Sequence, residues 1–207
     1  MFCVVRQYKM KPIEDLEKLI RQVRDGFLPI VTKAPGYVGY SVARTTDGDL
    51  VTTGFFQDRA GADESVRLAA DWVKENLGWA VDGPPKVTEG EIQFHERRGG
   101  EPAYGLLRRG KLQPGKFQEA VEFMRGKFLP KLAEMPGFVN MSMSKVGPDE
   151  FMTLSTWRDR ESAHEATRWA TAFMQENAGH LIAGPPEMIE GELKLRHVDE
   201  AAFKQHA

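Results

Sequence analysis

The chain is written twice. Residues from Arg24 to Glu91 reappear from Arg125 to Glu192 at a constant offset of 101 with no gap. Phe27-Leu28-Pro29 returns as Phe128-Leu129-Pro130, Pro35-Gly36 as Pro136-Gly137, and Asp58-Arg59 as Asp159-Arg160. Glu75-Asn76, Gly83-Pro84-Pro85 and Glu89-Gly90-Glu91 return as Glu176-Asn177, Gly184-Pro185-Pro186 and Glu190-Gly191-Glu192. Solenoid repeats run roughly 20 to 50 residues, so a period of about 100 makes each copy a whole small domain. The expected division is 1–97 for the first unit, 98–102 for a linker, 103–198 for the second unit and 199–207 for a polar tail.

Within each copy the hydrophobic period changes in the order strand, helix, strand, strand, helix, strand. Phe2 to Tyr8 reads as a strand. Pro12 can open a helix, and Ile13, Leu16, Ile20, Val23 and Phe27 follow at spacings of three and four. Copy two repeats that stripe with Pro114, Phe117, Val121, Met124 and Phe128. Pro29 and Pro130 fall in the last turns, where each removes a backbone bond and bends or ends the helix. Tyr37 to Arg44 and Leu50 to Gln57 flank a Thr46-Asp47-Gly48-Asp49 hairpin signal. Asp58 and Asp159 stand where a carboxylate caps the second helix, and Gly78 and Gly179 stop it. Gly90 and Gly191 interrupt the last strands, as a bulge or bend does. This order is the ferredoxin-like βαββαβ unit. The expected fold class is α+β: two tandem ferredoxin-like units packing sheet to sheet as an intrachain dimeric α/β barrel.

Composition narrows the partners. With 41% hydrophobic and 28% charged residues the chain can bury a core and coat it, and a net charge of -2 provides no global basic field for nucleic acid. Cys3 is the one cysteine, so there is no internal disulfide and no metal-ligand spacing. No apolar run approaches the ~20 residues needed to cross a bilayer, and the N-terminus lacks the pattern of an export signal. The expectation is a cytoplasmic protein with no membrane partner.

The stretches FLPIVTKAPGYVGYSV and FLPKLAEMPGFVNMSM, the strand ends GFFQDR and STWRDR, and GPP before each last strand carry a resemblance. Through them the chain resembles the dimeric α+β barrel superfamily, and within it the antibiotic biosynthesis monooxygenase-like proteins. Such proteins usually have one unit per chain and dimerise through their sheets. The resemblance therefore implies a pseudo-dimer within one polypeptide, with further self-association left open. The activities it implies are cofactor-independent oxygenation of quinol-like aromatics, haem degradation, and isomerisation or decarboxylation of small aromatics and lactones. Fold alone does not choose among them.

Haem degradation in such proteins uses an asparagine on the first strand and a tryptophan and histidine on the second helix. Here the first strands contain no asparagine, Val66 or Thr167 holds the tryptophan position, and Asn76 or Asn177 holds the histidine position. His164 and His180 fall out of register, while His95 and His197 read as exposed strand residues. Phosphate-loop, GxSxG and HExxH motifs are absent, so neither a metal nor another cofactor is expected and no catalytic residue is identified. Phe56 and Trp72 in copy one, with Trp157 and Phe173 in copy two, either line an apolar pocket or fill the core. Asn76 and Asn177 follow Ala69 and Ala170 by seven residues, which returns them to the buried stripe. There each amide either ties its helix end to backbone or donates to a ligand. Two functions stay in view: a cofactor-independent monooxygenase acting on a small apolar aromatic or quinol-like substrate, and a non-catalytic barrel that binds a small ligand or is purely structural.

Overall fold

A computed structural model describes residues 1–204, and its class is α+β. The first repeat consists of β1 (Phe2–Tyr8), α1 (Leu16–Gln22), α2 (Leu28–Val31), β2 (Tyr37–Thr45), β3 (Leu50–Phe56), α3 (Arg59–Asn76) and β4 (Lys86–Arg97). The second consists of β5 (Tyr104–Lys111), α4 (Phe117–Phe123), α5 (Leu129–Ala133), β6 (Phe138–Lys145), β7 (Glu150–Trp157), α6 (Arg160–Ala178) and β8 (Glu187–Val198). The described part of the tail forms a short helix, α7 (Glu200–Lys204), and residues 205–207 lie outside the described residues. In the first unit β3 pairs with β1 and β2, and in the second the strands pair in the order β8-β5-β7-β6-β4. Each repeat thereby supplies the ferredoxin-like order, β4-β1-β3-β2 and β8-β5-β7-β6.

By contacts, the chain forms one compact unit from Met1–Glu89 and the residues from Leu193 on, and another from Gly90–Glu192. These boundaries differ from the sequence repeat because β4 and β8, at 12 residues each, begin in one unit and end in the other. In the second unit Glu91–Arg97 of β4 pairs with β6, and Glu187–Glu192 of β8 pairs with β5. In the first, Asp199 N donates to Val38 O, and the Tyr37 hydroxyl lies 2.9 Å from Nδ1 of His197.

The first helix of each repeat starts later than its proline suggests, at Leu16 and Phe117. For α1 the cap decides: the Asp15 carboxylate accepts from Lys18 N at 2.8 Å and satisfies a free amide of the first turn. Each helix then widens into a π turn, Val23–Phe27 or Met124–Phe128, directly before the Leu-Pro pair. Leu28 N donates to Val23 O, and Leu129 N to Met124 O, five residues back. Pro29 and Pro130, which have no N–H to give, thus open a last short turn.

Asp58 and Asp159 cap the second helices, accepting from Gly61 N at 2.9 Å and Ser162 N at 2.8 Å. In β4 the register shift falls between Ile92 and Phe94, not at Gly90. Gly90 instead permits a close approach, since a Cβ there would sit 2.9 Å from Lys145 O. His95 is a further departure from expectation: the residue is half-buried, with both ring nitrogens removed from solvent.

Two predictions follow from this packing. A Cβ on Gly61 would lie 2.0 Å from Pro35 O, a backbone atom that cannot swing aside. Gly61→Ala is therefore expected to lower unfolding stability by about 1–3 kcal/mol in urea titrations, the range for overpacking. His95 has its pKa pulled from 6.5 down to about 4 by burial, with Arg97 adding to the effect. The unfolded chain takes up this proton near the ordinary histidine value and the folded chain only near 4, so stability is lost as pH falls between them. At about 1.4 kcal/mol per unit, the loss reaches about 3 kcal/mol. Across that window the wild type should lose about 3 kcal/mol of unfolding free energy relative to His95→Gln, which lacks the titrating ring.

Candidate functional site

A cavity of about 470 Å³ lies within the second unit. Sites for small molecules span about 300–1,000 Å³, so it can hold one ligand of a few rings. Strand alternation aims Leu106 and Arg108 of β5, Met141 and Met143 of β6, and Thr153, Ser155 and Trp157 of β7 into it. Ala166, Ala170 and Met174 of α6 face it at helical spacing, and Phe123, Met124 and Phe128 come from the widened first helix. Gly184-Pro185-Pro186, exposed to solvent, form part of the rim.

The corresponding place in the first unit is nearly solid, with a void of about 20 Å³. Side-chain volume accounts for the difference. Tyr8 pairs with Leu50 as Gly110 pairs with Phe151, so where one copy has a tyrosine the other has a glycine covered by the Phe151 ring. Tyr40 stands where copy two has Met141. Trp72 packs on Gly26, where a Cβ would meet its ring at 2.8 Å, and sits 5.5 Å from Phe27. In copy two Lys127 replaces that glycine. Phe173, the counterpart of Trp72, stacks on Trp169 at 4.9 Å and 23° and takes no part in the cavity wall.

Arg108 is the one ionisable side chain in the wall. Its Nη2 donates to Thr167 Oγ1 at 2.8 Å, and that hydroxyl donates to Ala163 O at 2.9 Å. Among the described residues no carboxylate forms an ion pair with it, and Glu190, whose field it feels, is bonded to His164 at 2.9 Å. Burial pulls the Arg108 pKa down and Glu190 pushes it up. A guanidinium stays charged through such a contest. The first unit repeats the tie, with Arg6 Nη2 donating to Ser65 Oγ at 2.6 Å, but Arg6 is 1% exposed. The arginine–hydroxyl link therefore recurs in both units, from helix positions one residue apart. Access to it belongs to the second unit.

Of the six aromatic and amide residues expected at a ligand site, Trp157 reaches the cavity wall, with its Nε1 donating to Ser155 Oγ at 3.2 Å. Trp72 borders the small void of the first unit, and Phe56 is fully buried core, edge-on to Tyr37. Asn76 and Asn177 are exposed, and each donates to the carbonyl one turn back, Trp72 O at 2.8 Å and Phe173 O at 2.9 Å. The expected burial of these amides is corrected by the helix itself. Its buried line runs Ala69, Val73, Leu77 and Ala170, Met174, Ala178 in steps of four, which leaves each asparagine about 100° off that line. Arg108, Met141, Met143 and the GPP rim carry the site instead. The wall has no histidine, cysteine or tyrosine, so it does not fit haem. The described residues contain no group of three His, Cys, Asp or Glu placed to hold a metal.

The same substitution at matched positions should have opposite effects. Ala170→Phe fills open volume and is expected to raise stability by roughly 0.5–2 kcal/mol. Ala69→Phe enters a filled core and is expected to lower it by about 1–3 kcal/mol. Urea unfolding of the two variants checks both signs.

No family model matches the sequence, and no curated protein matches it. Solved structures do match along its length. A candidate monooxygenase from Lactobacillus acidophilus superposes with a TM-score of 0.74 at 11% identity, covering 95% of each chain. One from Fusobacterium nucleatum gives 0.73 at 9% identity, covering 96% of this chain and 94% of that one. An anthrone oxidase-like protein gives 0.61 at 14% identity, covering 96% and 93%. No helix among the described residues is long and apolar enough to cross a membrane. Over both repeats the chain has the fold of the dimeric α+β barrel superfamily.

Proposed function

We propose that the second unit is a cofactor-independent monooxygenase whose cavity takes a small, flat, apolar aromatic or quinol-like substrate. The observation that carries this reading is the cavity wall: apolar and aromatic side chains, thioethers that adapt to irregular shapes, two buried hydroxyls and one cation. The names of fold neighbours, candidate monooxygenases and an anthrone oxidase-like protein, point the same way. In this chemistry the electron-rich substrate itself reduces oxygen. One oxygen atom ends as a ring carbonyl, and the other leaves as water with the two hydrogens that carbon loses. The wall's part is to exclude water and hold the ring still.

A second reading has its own support. The wall presents no carboxylate, histidine, lysine or tyrosine to act as a base, which suits a binding protein that does no chemistry. Oxygen uptake with a panel of dihydroxyaromatics and tricyclic ketones separates the two. The monooxygenase reading expects uptake above the buffer rate with at least one flat substrate and at least a tenfold loss in Ala170→Phe. Tight binding with uptake at the buffer rate across the panel would establish the binding reading instead.

A further inference from the structure

We infer that Arg108 selects ligands bearing an acidic hydroxyl, a phenol or enol, and holds them as the anion. This rests on the cavity of the second unit being the ligand site. Four observations carry it.

Arg108 is the sole charged group of the wall, on a strand where alternation points it inward beside Leu106. Its guanidinium has one hydrogen bond among the described residues, to Thr167, so donor positions remain for a ligand. Neutralisation is incomplete: Glu190 is committed to His164 and makes no ion pair with the arginine. A charge at the edge of an apolar cavity favours a partner of opposite sign, because the surrounding low dielectric strengthens the attraction.

The fourth observation is the lack of a base in the wall. A substrate that must be electron-rich to meet oxygen has to give up its hydroxyl proton to bulk water as it enters, since no side chain of the wall accepts it. The O–H bond breaks, the proton leaves with solvent, and the electron pair remains on an oxygen facing the guanidinium. Thr167 is a positioning residue here: by accepting from Nη2 and donating to Ala163 O, it fixes the fork on α6. The first unit shows the alternative state. Arg6 keeps the same tie to Ser65, while Tyr8 and Tyr40 fill the space a ligand would need.

The test uses 4-nitrophenol, at a pH where the free probe is ionised, against 4-nitroanisole, a methyl ether of nearly the same shape that cannot ionise. Calorimetry on the whole chain should show the phenolate binding at least tenfold tighter. Arg108→Met should erase the preference while still binding the ether, which also shows that the variant is folded. Arg108→Lys should keep part of it. Equal affinity of the wild type for both probes, or an undiminished preference in Arg108→Met, would overturn the inference. Binding of the ether with no preference leaves the cavity reading standing, whereas binding of neither probe sinks both.

Discussion

Edge pairing is the constraint on which the architecture depends. A four-stranded sheet ends in two rows of unpaired N–H and C=O groups, and an exposed edge invites association. The long last strands β4 and β8 meet this need. The first half of β8 pairs with β5, and its far end runs beside β2 through the Asp199 N to Val38 O bond. Length is therefore functional in these strands. A β8 of the length of β1 could not do both.

With the backbone arrangement shared, volume distinguishes the copies. Both units keep the capped second helix, the π turn before Leu-Pro and the arginine tied to a helix hydroxyl. What differs is what stands above the sheet: Tyr8, Tyr40 and Trp72 in one copy, Gly110, Met141 and a displaced Phe173 in the other. Tyrosine and tryptophan rings close the first space to about 20 Å³, while the second, with Met141 in place of Tyr40 and Phe173 turned onto Trp169, keeps about 470 Å³. Arg6 and Arg108 show how strongly such surroundings decide a residue's role. The same tie is sealed in one and open in the other.

Much of the fold was legible because it depends on periodicity and punctuation. The strands at Phe2, Tyr37 and Leu50 begin where alternation places them, and the aspartate caps hold their helices as spacing implies. The π turns were not legible, since the proline that provokes them reads equally well as a helix end. The site was harder. A seven-residue count puts Asn76 and Asn177 on the stripe, but the buried line advances by fours and passes to Leu77 and Ala178. Arg108 was hidden by the strand register. Aligned at the repeat's own offset of 101, it matches Gln7, whereas strand pairing matches it to Arg6. A cavity also follows from absent side chains, which periodicity does not report.

Covalent duplication has a consequence for how such a protein can change. When two identical chains assemble, every substitution is inherited on both sides of the symmetry axis, and a cavity cannot be closed on one side and kept on the other. Joining the copies through Gly99-Gly100 removes that duplication of effect. One half can then accumulate tyrosines and tryptophan until it is solid. The other half is left to carry an opening that a symmetric pair would have to support twice.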